Sequence, residues 1–210
     1  MNNAWSRKVF YRQGSPHAAW DILDLALIRQ EGAGLLVLLV DGSPGSSTSR
    51  PPYAREALAR AVGAAWRAES LPKRLLEAIH EELSAFNGAG TARLQASAVA
   101  ATVLPSFAVA EAATAGNCSL WGCGPSGYQP LIREAVPQNG TRTYGMLGSQ
   151  RPNVLSCDAG AAEFRELAFL TDGAFHVLTD NRGGLLKISS FKPERVLDDA
   201  TVVALSRDSG

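Results

Sequence analysis

Three aspartates stand at the ends of three apolar runs that lie far apart in the chain. Leu35-Leu36-Val37-Leu38-Leu39-Val40 ends in Asp41-Gly42, and Leu167-Ala168-Phe169-Leu170 ends in Thr171-Asp172-Gly173. The third is reversed, with Asp198-Asp199 opening Ala200-Thr201-Val202-Val203-Ala204-Leu205. A buried strand aims its terminal side chain rigidly, and carboxylates converging from several strand ends make a site for a hard cation. Mg²⁺ and Mn²⁺ take oxygen ligands, and aspartate supplies both oxygen and charge. Each aspartate taken singly has a plainer reading as a strand-ending turn, for which Asp-Gly is ordinary.

Other reactive side chains form weaker patterns. His17, His80 and His176 do not have the spacing of metal ligands. His80 falls inside a helical stretch and reads as a surface or packing residue. His176, shortly after Asp172, is a candidate general acid. Arg12 is a candidate phosphate contact, because a guanidinium fork suits phosphate, or a charge on a strand surface. Gly122 to Gly127 lacks the lysine and following helix of a nucleotide loop and reads as a hairpin turn. No nucleophile-elbow pattern is present. Cys118, Cys123 and Cys157 match no common zinc spacing and read as reduced, buried thiols.

The elements that must position the aspartates follow from periodicity. Residues 5–12 and 20–29 read as two strands around the Gly14-Ser15-Pro16 turn, although Asp21 and Asp24 sit off the alternation of a simple hairpin. Residues 35–40 form a buried strand, and the Gly-, Pro- and Ser-rich 42–52 form a loop. Apolar residues at helical spacing predict helices over 53–68 and from Leu71-Pro72 to Asn87-Gly88, with proline in the first turn. Residues 94–104 and 106–121 read as two long strands around Leu104-Pro105-Ser106, followed by a short strand near 129–133. Residues 134–163 read as irregular, 166–171 and 200–206 as strands, and 174–197 is left open. Clustered helices among more numerous strands predict α+β, not alternating βαβ.

The bulk numbers predict one domain over 1–210 with a sizeable core. Formal net charge is zero, so no nucleic-acid or membrane surface is expected, and any attraction to an anionic substrate must be local. The longest apolar run is too short for a membrane span, and Asp21 and Asp24 interrupt any leader. The expectation is a cytoplasmic protein.

Several segments, in order, resemble the metal-dependent protein phosphatases of type 2C (the PPM family). Leu39-Val40-Asp41-Gly42-Ser43-Pro44-Gly45 resembles their V-A-D-G-x-G-G turn, and Ala89-Gly90-Thr91-Ala92 their G-x-T-A. Ala115-Gly116-Asn117-Cys118-Ser119-Leu120-Trp121 stands where the family has V-G-D-S-R-x-Y, and Leu147-Gly148 is similar to A-L-G. Leu170-Thr171-Asp172-Gly173 is similar to L-x-[ST]-D-G, and Asp198-Asp199-Ala200-Thr201-Val202-Val203 to D-[ND]-x-T-V-V.

The resemblance implies a four-layer α/β/β/α sandwich of two antiparallel sheets flanked by helices. It implies hydrolysis of phosphomonoesters on phosphorylated proteins by water held between two Mg²⁺ or Mn²⁺ ions. Asp41 would bridge the ions with the Gly42 carbonyl beside it, and Asp172 and Asp198 would complete one shell. Asp21 would orient metal-bound water. Three places depart from the pattern. Trp20 stands beside that aspartate in place of Glu or Asn. Pro16 or His17 stands where an arginine grips the phosphate, which makes His17 the substitute contact. Asn117 replaces an aspartate that helps hold a weaker third ion, and its carbonyl would be a ligand without charge. The departures raise an alternative, a phosphatase-like regulatory or phosphoprotein-binding module with weak turnover. A small phosphorylated metabolite is a third substrate option. A compact monomer is expected.

Overall fold

The computed structural model describes residues 5–12, 23–43, 54–88, 93–132, 145–158, 164–179, 184–191 and 200–207. Among the described residues, ten strands form two five-stranded antiparallel sheets. One is ordered β1(Trp5–Arg12), β10(Ala200–Arg207), β9(Glu166–Leu170), β6(Ser119–Gly124), β7(Gly127–Pro130). The other is ordered β2(Leu23–Glu31), β3(Gly34–Ser43), β4(Gln95–Val103), β5(Val109–Ala115), β8(Leu155–Cys157).

Strand β3 shows why the sheets stack as they do. All six residues from Leu35 to Val40 are fully buried, so both faces of the strand are covered. Leu35, Val37 and Leu39 point between the sheets, against Leu167, Phe169, Val203 and Leu205. Leu36, Leu38 and Val40 point the other way, onto the helices α1(Ala54–Ala68) and α2(Pro72–Gly88). Side chains alternate across a strand, so one apolar run serves two cores. Full burial of each of these side chains contributes about 1.5–3 kcal/mol.

The helices carry matching stripes. Leu58, Ala61, Val62 and Ala65 line α1, and Leu75, Leu76, Ile79 and Leu83 line α2. On the outer face of the first sheet, the short helix α3(Asp172–Leu178) and a 3₁₀ turn at Ile188–Ser190 cover Trp121, Ala168, Leu170 and Val202. The architecture is therefore the four-layer α+β sandwich, with a thin fourth layer. No described helix is long and apolar enough to cross a membrane.

Several sequence expectations need correction. The strands at 5–12 and 23–31 are not a hairpin: β1 pairs with β10, and β2 pairs with β3, in opposite sheets. The expected long strand 106–121 is two strands, broken at Gly116-Asn117-Cys118, and the break carries the chain from one sheet to the other. Apolar residues continue on both sides of Gly116-Asn117, and the polar Glu111, Thr114 and Ser119 are spread through the run, so periodicity alone hides that break. Asp172 opens a helix instead of ending in an open turn, and β8 lies within the stretch read as irregular. Cys118 is buried, whereas Cys123 and Cys157 are only half-buried; all three are free thiols.

Candidate active site

The inward face of each central strand changes chemistry at the same end of the sandwich. Reading two residues beyond the inter-sheet core, Leu39 gives Asp41, Ala26 gives Asp24 and Val99 gives Ser97. Likewise Ala112 gives Thr114, Leu120 gives Cys118, Phe169 gives Thr171 and Val203 gives Thr201. Because side chains repeat every second residue, six of these form one polar layer that closes the apolar interior, and Thr114, paired with Val99, lies one rung deeper. Asp41 lies opposite Asp24 on β2 and opposite Ser97 on β4.

Hydrogen bonds tie this layer across the two sheets. The Thr201 hydroxyl donates to Asp24 Oδ2 at 2.6 Å, a buried contact between β10 and β2. The Thr201 N–H donates to Thr171 Oγ1 at 3.0 Å, and the Thr171 N–H donates to the Thr201 carbonyl at 3.2 Å. Thr171 precedes α3 but makes no side-chain cap there, because its hydroxyl oxygen accepts from β10. The Thr114 hydroxyl reaches the carbonyls of Ala98 and Cys118, at 3.0 and 2.8 Å.

The crossover turn brings Asn117 onto the layer. Gly116 has φ +75°, a backbone state that glycine adopts without cost. A Cβ at this position would collide with the Ser97 side chain. The Asn117 N–H donates to Ser97 Oγ at 3.3 Å, and its Nδ2 donates to Asp172 Oδ2 at 2.6 Å. Asp172 Oδ1 accepts from the Gly173 N–H at 2.7 Å.

Cys118 reports how closely the charges gather. Its thiol pKa is pushed well above the usual range, first by burial and then by the negative charges of Asp41, Asp24 and Asp172. A hydrogen bond with the backbone of Asp41 works in the opposite direction. Burial and the surrounding carboxylates therefore favour the protonated thiol.

The donors present fit a hard divalent cation in kind. Asp41, Asp172 and the Gly42 carbonyl offer oxygen, and Asn117 Oδ1 is a buried acceptor with no hydrogen-bond partner among the described residues. Among the described residues, no three His, Cys, Asp or Glu side chains converge as a metal group. Asp21, His17, Trp20, Asp198 and Asp199, all named from the sequence, lie outside the described residues. His80 and His176 are described, and His176 lies one turn after Asp172 on the same helix. His80 Nδ1 accepts from the Gly148 N–H at 3.0 Å, and His176 is exposed on α3.

Sequence reading missed Asp24, Ser97, Thr171 and Thr201. The signal was available, since each lies two residues beyond an apolar inward position. Asp24 in particular takes the place opposite Asp41 on the early strand, the neighbourhood in which the sequence suggested Asp21.

No family model and no curated protein sequence matches this chain. Solved structures do match it. The serine/threonine phosphatase Stp1 from Staphylococcus aureus superposes with a TM-score of 0.69 at 14% identity, covering 99% of this chain and 96% of that one. The S. agalactiae serine/threonine phosphatase gives 0.64 at 12% identity, over 98% and 100% of the two chains. The SiaA-PP2C domain of Pseudomonas aeruginosa gives 0.58 at 14% identity, over 96% and 86%. The order of the strands, the helix pair on one sheet and these full-length superpositions together establish that the chain has the fold of the type 2C protein phosphatases.

Proposed function

We propose that this protein is a metal-dependent phosphomonoester hydrolase acting on phosphoserine and phosphothreonine in proteins, with Mg²⁺ or Mn²⁺ as cofactor. One observation carries the reading: Asp41 at the end of β3 in one sheet, and Asp172, which opens α3 just beyond β9 of the other and is tied to Ser97 through Asn117, bring carboxylates to the end of the apolar interior. Two bound divalent ions would acidify a water between them and offset charge on the phosphoryl oxygens.

The chain's own residues supply the rest. Asp41, the Gly42 carbonyl, Asp172 and Asp198 are assigned as ligands, with Asn117 Oδ1 as an uncharged one. Asp24 beside Asp41 adds negative charge that favours cations, and the Thr201 hydroxyl fixes its orientation. Asp21 is assigned to orienting water and His17 to contacting the substrate phosphate.

Asp41→Asn and Asp172→Asn test the assignment. Each is expected to lower Mn²⁺-dependent phosphate release from a phosphopeptide by at least about 100-fold, with circular dichroism unchanged. Undiminished release in either variant would sink it. A second reading is favoured by the Asn117–Asp172 hydrogen bond, which supplies no charge to the shell. It is a phosphatase-like module that binds phosphoproteins and turns over poorly. Many turnovers per chain with excess phosphopeptide would exclude it.

A further inference from the structure

Asp172 is held by the protein at both carboxylate oxygens, Oδ2 by the Asn117 amide and Oδ1 by the Gly173 N–H. An ionised carboxylate only accepts hydrogen bonds, so the end of Asn117 facing it at 2.6 Å must be the amide nitrogen. The turn that presents this amide is fixed independently. Gly116 lies against Ser97 where no side chain fits, and Ser97 Oγ accepts from the Asn117 N–H. A donor N–H and a divalent cation are alternative partners for the same oxygen lone pair. Asp172 is half-buried, and each of its oxygens has a second lone pair. Asn117 differs from aspartate by a single NH₂-for-oxygen exchange. With a carboxylate there, two negative oxygens would face each other at hydrogen-bond distance, and only a proton or a cation could hold them together.

We infer that Asn117 stands in for a cation on Asp172. Its amide orients the carboxylate before any ion arrives, so this site takes one divalent ion fewer than it would with a carboxylate at 117. Asn117 is thus a positioning residue that sets the ion requirement. The inference rests on the reading of Asp172 as a metal ligand.

The test uses the full chain, Asn117→Asp and Asn117→Ala, with Mn²⁺ as the probe. Calorimetry counts bound Mn²⁺, and thermal melting is followed in chelator and in Mn²⁺. Asn117→Asp is expected to bind one more Mn²⁺ than the wild type. In chelator it should melt about 3–6 °C lower and recover when Mn²⁺ is added. Asn117→Ala should show a similar loss in chelator without the extra ion, which covers the case in which the aspartate variant fails to fold. If the wild type binds Mn²⁺ while Asn117→Asp gains no ion, or Asn117→Ala melts unchanged, the inference is overturned and the metal reading stands. If the wild type binds none, even though Asn117→Asp gains an ion, the metal reading of the natural chain falls and the inference that rests on it falls with it. Absence of binding in both overturns both.

Discussion

Thr201 does two jobs with one residue: its hydroxyl holds Asp24 across the gap between the sheets, and its N–H holds Thr171 within its own sheet. A hydrogen bond to a charged group contributes about 1.5–3 kcal/mol, and more is lost when the charged partner stays buried. Asp24 is 9% exposed. Thr201→Val keeps the shape and the backbone bonds but removes the donor, and should cost about 2 kcal/mol in urea unfolding. Thr201→Ser should recover most of that. Equal losses in the two variants would mean that the methyl packing, not the hydroxyl, matters. These residues also show what a sequence displays. Asp41 and Asp172 were visible because they end long apolar runs beside glycine. Thr201 and Ser97 are small, polar and inside strands, where they look unremarkable. Their role depends on which face they share with the core, and therefore on the pairing register.

At the scale of elements, α2 is fastened to the sheet by its last turns. Asn87 donates to the carbonyls of Leu94 and Gly148, at 2.8 and 2.9 Å, and accepts from the Leu94 N–H at 2.7 Å. His80 accepts from the Gly148 N–H, and Leu147 bridges to Ala96 beside the site's Ser97. Gly148 has φ +78° and sits against the Leu94 carbonyl, so it has no room for a side chain. Asn87→Ala breaks three hydrogen bonds and should cost about 2–4 kcal/mol, measured by urea unfolding. Asn87→Asp keeps the acceptor but loses both donations, so it should recover little. The helices were legible because their apolar stripes run at a helical period over several turns. The boundary between β5 and β6 was not. The turn there depends on one positive-φ glycine and a handover between sheets that no local pattern encodes.

Across the whole molecule, the buried thiol offers a probe of opening. Cys118 sits between the sheets, whereas Cys123 and Cys157 are half-buried nearer the surface. Alkylation under native conditions should therefore modify Cys123 and Cys157 first. Cys118 should react only through unfolding that parts the sheets, at a rate that rises with urea as global stability falls. Rapid native labelling of Cys118, identified by peptide mass, would show that this end of the sandwich opens locally. The four-layer plan was accessible from the ordered motifs, but the partners of each strand were not. β1 and β10 stand at opposite ends of the sequence, and only the folded register pairs Trp5 with Arg207.

That register has a consequence for how the protein is made. β10 is not an edge strand; it lies between β1 and β9. As the chain leaves the ribosome, β1 emerges early and must wait for nearly all of the sequence before its neighbour exists. Until then β1 and β9 each present an unpaired edge, and long-range strand pairing of this kind is slow. The sheet built on β2 and β3 is local by comparison and can assemble ahead of it. The same late strand brings Thr201, so the grip on Asp24 closes only when the last strand docks. A truncated or stalled chain would thus retain one sheet and its helices, yet lack a finished site and be prone to edge-to-edge association.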